Sequence, residues 1–443
     1  MPQPDEGATR PARGCARPDR PLVDWLTVMS TPPSPQPQAA HAYLDHAATT
    51  PVLDEVVEVV AREMRQTGNA SSLHDPGRRA RRVVEESREQ VAEALGVRPS
   101  EVIFTSGGTE ADNLAVKGTY AARRAGDPRR DRLVVSGVEH HAVLDPVEHL
   151  VTHEGARVTW VEPDAQGRIT ADALRQALDA DGGPETVALV SVMWANNEVG
   201  TIQPVSELAT IVHEHGIPVH SDAVQVLGQA PLDLSQVDLG VVTGHKVGGP
   251  LGVGVLTAGR DQAPVPLTHG GGQERGLRSG TLDTPAIAGL ALAVTHAAEH
   301  QESHALHLAR LRDGLVEGAL ALDPGISVSG PWTRGDTTAR LAGNAHLQVA
   351  DCEGDSLLYL LDAAGVACST GSACQAGVPR PSHVLLAMGI PEEQARGALR
   401  LTLGHGSSQA DVDAFLAALP PALDRARRAH AASRRPSTPA RSA

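Results

Sequence analysis

Three segments place reactive side chains directly after short apolar runs. In LGVVTGHK, residues 239–246, the run ends at Lys246. In PVHSDAVQ, residues 218–225, it ends at Asp222 and Gln225. The third, VIFTSGGTEADNLAVKG, passes from an apolar run through Ser106, Gly107, Gly108 and Thr109 into a helical pattern. An amine can attack a carbonyl and hold it covalently. A glycine turn opening a helix presents unpaired backbone N–H groups and the positive end of the helix dipole to an anion. Taken singly, each feature has a plain structural explanation. A lysine after a strand ordinarily lies on the surface, aspartate commonly caps a helix, and a glycine turn before a helix is ordinarily only a turn.

The elements that must position these residues are legible as an alternation. Short apolar strand candidates at 102–104, 133–135, 158–161, 186–192, 218–220, 239–242 and 252–257 are separated by amphipathic helical stretches. That alternation predicts an α/β sheet covered by helices on both faces. In such sheets ligands bind beyond the carboxyl ends of the strands, where Lys246, Asp222 and the Ser106–Thr109 turn all fall. A phosphate cradle, an acid and an amine brought together there are the parts that pyridoxal 5'-phosphate (PLP) requires. The amine makes the Schiff base, and the acid keeps the ring nitrogen protonated.

Composition narrows the class. The 443 residues, 41% of them hydrophobic, suffice for two to three domains. With two Phe and three Tyr, the core rests on aliphatic side chains, and stacking platforms for single-stranded nucleic acid are not expected. A formal charge of −15 argues against a nucleic-acid or anionic-membrane binder. Neither a signal-peptide core nor a spanning apolar segment is present. Cys15, Cys352, Cys368 and Cys374 form no CxxC pair, which fits a reducing compartment, the cytoplasm. Nothing in the histidine and cysteine spacing suits a zinc site. Residues 1–40, rich in Pro, Arg, Ala and Gln, and the arginine-rich tail at 431–443 read as disordered, and Met29 is an alternative start to Met1.

From about Tyr43 to Arg428 the chain resembles the cysteine desulfurases of the NifS/IscS kind, within the class V aminotransferase group of fold-type I PLP enzymes. The motifs that carry the resemblance are YLDHAATTP at 43–51, GNASSLH at 68–74, TSGGTEADN at 105–113, VEHHAV at 138–143, ANNEVG at 195–200, HSDAVQ at 220–225, TGHK at 243–246, GGGQERGLRSGT at 270–281 and STGSAC at 369–374. The resemblance implies a large domain at 56–302, with a mostly parallel seven-stranded sheet covered by helices. A smaller α+β domain, from 41–55 and 303–430, would carry a catalytic cysteine loop.

Residue by residue, the resemblance makes Lys246 the Schiff-base amine and Asp222 the partner of the pyridinium nitrogen. Gln225 and Asn197 match contacts to the ring hydroxyl, with Asn197 also near the substrate. His140 matches a stacking, proton-moving imidazole. Gly108, Thr109, Thr243 and His245 match phosphate contacts, and Thr281 matches a phosphate ligand donated by the neighbouring subunit of a homodimer. Arg400 matches the arginine that pairs with the substrate carboxylate. Cys374 matches the nucleophile that takes sulfur from L-cysteine as a persulfide, leaving L-alanine. No metal is implied. The sulfur acceptor is expected to be a protein, an iron–sulfur scaffold or a thiolation enzyme. LGHGSS at 403–408 departs from the family's usual run, and the tail after Arg428 resembles none of its scaffold-docking C-termini. Selenocysteine lyase, another class V aminotransferase and an inactive scaffold are the alternatives.

Overall fold

Continuously apolar runs form strands buried on both faces. The computed structural model describes residues 42–371 and 381–433. The strands in these residues are β1 (Ala42–Tyr43), β2 (Val102–Thr105), β3 (Arg132–Ser136), β4 (Arg157–Val161), β5 (Val187–Ser191), β6 (Val219–Asp222), β7 (Leu239–Thr243), β8 (Gly254–Ala258), β9 (Ile326–Val328), β10 (Asn344–Val349), β11 (Val366–Ala367) and β12 (Ala398–Thr402). Seven make one sheet in the order β2-β8-β7-β6-β5-β3-β4. The pairs among β3 to β7 are parallel, and only β8 runs against its neighbours. Every residue of β2, β3, β5, β6, β7 and β8 is buried, whereas the edge strand β4 exposes Arg157 and Trp160. Each of the seven apolar runs in the sequence falls on one of these strands.

The helices that matter for the site are α1 (Asp54–Met64), α2 (Asp75–Leu95), α3 (Gly108–Asn113), α4 (His141–Glu154), α5 (Thr284–Glu299), α6 (Gln301–Leu322) and α7 (Gln409–Ser433). In α2, Ala80, Val84, Ser87, Val91 and Leu95 recur every three to four residues and form its buried face. His74 accepts from the Gly77 N–H at its start, and Gly96 ends it at φ 72°. The helices α1 and α2 pack on α5, whose Ile287, Leu290 and Val294 enter the core on one face of the sheet. Leu114, Val143 and Val147 cover the other face.

A second, antiparallel sheet, β12-β10-β9, packs against α6 and α7. Its Leu347, Leu399 and Leu401 share a core with Leu308, Leu315, Phe415 and Leu419. The strand β1 pairs in parallel with β11, and Ala42 and Leu44 join the same core. This is the fold-type I architecture, a mostly parallel sheet between helices followed by a C-terminal domain. The disorder expected at 431–443 does not hold for 431–433, which continue α7 through Ser433; the rest of that tail and the expected disorder at 1–40 lie outside the described residues. Among the described residues no helix is long and apolar enough to cross a membrane.

Candidate active site

The carboxyl ends of β2, β3, β5, β6 and β7 open onto one cavity of about 390 Å³. Gly108, Thr109, His140, Asn197, Asp222, Gln225, Thr243, His245, Lys246 and Arg400 all line it. Of the other two residues singled out in the sequence, Thr281 is exposed and does not line the cavity. Cys374 lies outside the described residues, and Ser369 and Gly371, which lead towards it, form part of the cavity wall.

Lys246 ends a single 3₁₀ turn, Gly244–Lys246, directly after β7. A Cβ on Gly244 would lie 2.7 Å from the Pro250 carbonyl oxygen, so only glycine permits this turn. The Lys246 Nζ donates to the Ala48 carbonyl at 2.8 Å and also to the Ala47 carbonyl. Burial, helped by the nearby Arg400 guanidinium, lowers its pKa to about 8. Gln225 Nε2 donates to the same Ala47 carbonyl at 3.0 Å. The turn after β1 is therefore a scaffold for both residues.

Asp222 ends β6, and its Oδ1 accepts from the Val224 N–H at 2.9 Å. Burial pushes its carboxyl upward, against the opposing pull of His140, the Val224 N–H and Lys246. His140 is the N-cap of α4, where its Nδ1 accepts from the Ala142 N–H at 3.1 Å. Its ring borders open cavity space, and the protein crowding around it lowers its pKa. Behind Asp222, wholly buried Asp112 and His220 approach to 3.2 Å, and His220 Nδ1 lies 2.9 Å from Ser191 Oγ.

The anion cradle is built at the start of α3. Gly107 adopts φ 150°, and a Cβ on Gly254 of β8 would stand 2.8 Å from the Gly107 backbone. Two glycines thus let the sheet edge and the turn meet. Glu110 accepts from the Ser106 N–H at 2.6 Å and from Arg278 Nε at 2.9 Å, which holds the turn in place. His245 is lowered to about 4 by burial and by Lys246, so at neutral pH it is an uncharged donor or acceptor. Arg400, on β12, donates through Nη2 to Asp45 at 2.9 Å and through Nη1 to the Asn197 carbonyl at 3.1 Å. Its buried Nε has no hydrogen-bond partner among the described residues.

Several residues in or beside the cavity had no role in the sequence reading: Asp45, which pairs with Arg400, the Ala47 and Ala48 carbonyls, Asp112, Met193 and Ser369. The motifs YLDHAATTP and TSGGTEADN contain four of them, but a backbone carbonyl and a mid-helix aspartate carry no signature of their own.

An amine, an acid and a helix-start cradle gathered at strand ends define a PLP enzyme of fold-type I. Residues 42–415 match the aminotransferase class-V family, which is a family of PLP enzymes. The chain is 57% identical over 390 residues to an IscS-like cysteine desulfurase of Mycobacterium tuberculosis, covering 88% of this chain and 98% of that protein. A solved NifS-like protein superposes with a TM-score of 0.77 at 36% identity, over 87% of this chain and 99% of its own. SspA, solved in complex with cysteine, superposes with a TM-score of 0.68 at 32% identity, over 82% of this chain and 98% of its own. The chain belongs to the class V aminotransferase family, among its IscS/NifS-like cysteine desulfurases.

Proposed function

We propose that this enzyme binds PLP in the cavity and takes the sulfur of L-cysteine onto Cys374 as a persulfide, releasing L-alanine. The observation that carries the reading is that the lowered amine of Lys246 shares one cavity with Asp222 and the Arg400 guanidinium. The residues suit the cofactor. A buried carboxyl that burial alone pushes upward is restored to its ionised form by a cationic ring N–H, the partner Asp222 would meet. Lys246 would hold the aldehyde carbon, Gly108, Thr109, Thr243 and His245 the phosphate, and Gln225 and Asn197 the ring hydroxyl. His140 would lie over the ring. When bound, PLP supplies an electron sink for charge developing at the substrate Cα.

The chain's own groups do the rest. The Arg400 fork takes the substrate carboxylate in bidentate fashion, which a lysine could not copy. The Lys246 Nζ removes the proton from the substrate Cα, and a pKa of about 8 leaves a useful neutral fraction near pH 7. His140 relays protons at the same face. The Cys374 thiolate attacks the substrate sulfur; the C–S bond breaks as the S–S bond forms, and the carbon skeleton leaves, reprotonated, as alanine. Burial pushes the thiols of Cys352 and Cys368 to about 11 and about 12, which keeps both protonated and unreactive.

Thr281 would complete the phosphate site from a second copy of the chain, in a homodimer. The persulfide would pass to a protein acceptor in the cytoplasm, an iron–sulfur scaffold or a thiolation enzyme. A cysteine pulse followed by peptide mass spectrometry tests the reading. Wild type should carry the persulfide on Cys374 and release alanine. Cys374→Ser should keep the visible cofactor band yet form no persulfide and almost no alanine. Full activity in Cys374→Ser, or a persulfide on Cys368, overturns it.

A further inference from the structure

The loop GGGQERGLRSGTLD, residues 270–283, joins β8 to α5 and carries Thr281 on its exposed side. Its glycines suggest slack, yet its middle is held in a conformation that ordinary side chains avoid. Glu274 and Arg275 stand in succession at φ 46° and 57°. Such a pair persists only where its surroundings fix it.

Polar ties on both sides of that turn do so. Buried Glu274 accepts from the Phe104 N–H at 2.7 Å and from Arg88 Nη1 and Nη2 at 2.9 and 2.7 Å. Arg278 Nε donates to one oxygen of Glu110 at 2.9 Å, and the other oxygen accepts from the Ser106 N–H at 2.6 Å. Burial opposes a charge on Glu110, but the hydrogen bonds from Arg278 and Ser106 outweigh it and hold the carboxyl below the usual carboxylate range. Both ion pairs are therefore charge-assisted. Gln273 Oε1 accepts from the Gly280 N–H at 2.9 Å, directly before Thr281, and Asp283 caps α5 just after it by accepting from the Ala286 N–H at 3.0 Å.

Two of these ties end on the phosphate cradle. Phe104 lies on β2, Ser106 in the turn that follows it, and Glu110 in the first turn of α3. The place of Thr281 is thus set relative to the cradle of its own chain, although Thr281 does not line the cavity of that chain. Threonine has one side-chain torsion and a branched Cβ, so its hydroxyl goes where its backbone goes. In a two-fold dimer, whatever one copy gives the other it also receives.

We infer that Gln273 and Arg278 are positioning residues for the cofactor site of a second copy of the chain: anchored on their own cradle, they hold Thr281 where its hydroxyl meets the phosphate bound by the partner. The inference rests on the proposed role of Thr281 across the interface. Glu110 then serves both sites, its own through Ser106 and the partner's through Arg278.

Full-length mixed dimers, isolated with two affinity tags, stripped of cofactor and titrated with PLP, test the inference. One subunit carries Lys246→Ala, so only the other can be labelled at Lys246. Borohydride reduction at each PLP concentration fixes the cofactor there, and mass spectrometry of the Lys246 peptide reads the occupancy of that site alone. Arg278→Gln or Gln273→Ala, placed on the Lys246→Ala subunit, should weaken PLP at the labelled site about tenfold, the worth of one hydrogen bond to a charged group. The same changes on the labelled subunit should leave its site within about twofold of wild type, as expected of a change with no shared partner. Glu110→Gln should weaken the labelled site from either subunit. On a Thr281→Ala background, Arg278→Gln and Gln273→Ala should add nothing, since a misplaced hydroxyl and an absent one are equivalent. A loop that only supports the fold would weaken the labelled site equally from either subunit, or only from its own, and each of these results overturns the inference. Weakening by Thr281→Ala on the Lys246→Ala subunit, without weakening by Arg278→Gln or Gln273→Ala there, overturns it while leaving the shared site standing. No weakening by Thr281→Ala from that subunit overturns the shared site and the inference together.

Discussion

Lys246 shows how environment changes the acid–base character of a common residue. With an ordinary pKa, about one lysine in 3,000 is neutral at pH 7; with a midpoint near 8 the fraction is about one in ten. The shift comes first from burial and then from Arg400, while Asp222 and Asp45 oppose it. These contributions have opposite signs and can be separated. In cofactor-free protein, reductive methylation of Lys246 should have its midpoint near pH 8. Removing the neighbouring cation with Arg400→Gln should move that midpoint upward. Removing an opposing carboxyl with Asp222→Asn should move it downward. Mass spectrometry of the Lys246 peptide across pH 6 to 11 reads all three, and a midpoint near 10.5 in wild type would refute the assignment. The residues whose place in the cavity was legible beforehand, such as Lys246 and Asp222, carry a reactive group in the side chain. Asp112 and the Ala47 and Ala48 carbonyls were not legible, because what they do depends on tertiary neighbours: His220 at 3.2 Å in one case, the Lys246 amine in the other.

Among the elements, the strands of the large sheet were the clearest in the sequence. A strand buried on both faces must be apolar throughout, as VIF, LVV and VALVS are, and such runs stand out between charged helices. The reversal of β8 was not visible, since the direction of a strand leaves no mark on its composition. Nor was the tie between Glu274 and β2, in which a buried glutamate accepts from the Phe104 N–H at 2.7 Å and from both Nη atoms of Arg88. Glu274 lies inside GGGQERG, where the glycines suggest only a loop. The contact of β8 with the cradle makes an element-level prediction. Gly254→Ala would put a methyl group 2.8 Å from the Gly107 backbone, and backbone cannot swing aside as a side chain does. The strand or the turn must shift, at a cost of about 1–3 kcal/mol. Thermal denaturation should show a lower Tm, and equilibrium dialysis should show weaker retention of PLP. The control Gly252→Ala, at φ 76° but with nothing within 4 Å, should lower Tm while leaving PLP retention unchanged.

At the scale of the whole molecule, the cavity gathers residues from both ends of the chain. Arg400 of the second sheet pairs with Asp45 near the N-terminal strand, and Ser369 exchanges backbone hydrogen bonds with Arg400 at 2.6 and 3.1 Å. The segment that leads to Cys374 is thus anchored to the residue assigned to the substrate carboxylate. Thr281 is the exception. It belongs to a motif of the family, yet in a single chain it is exposed and away from the cavity. A role at the phosphate therefore needs a second copy, and that requirement has an arithmetic consequence. In mixed dimers of one Lys246→Ala subunit and one Thr281→Ala subunit, a Thr281 that reaches across the interface leaves one site with both native residues and puts both defects in the other. Such dimers, isolated with two different affinity tags, should show about half the wild-type turnover per dimer, because one of two independent sites is whole. If Thr281 serves its own subunit, one site lacks its lysine and the other its threonine, and the turnover can only match half that of the Thr281→Ala homodimer. Comparing the mixed dimer with both parent homodimers separates the two arrangements, and activity no higher than half that of Thr281→Ala would show that the site is not shared.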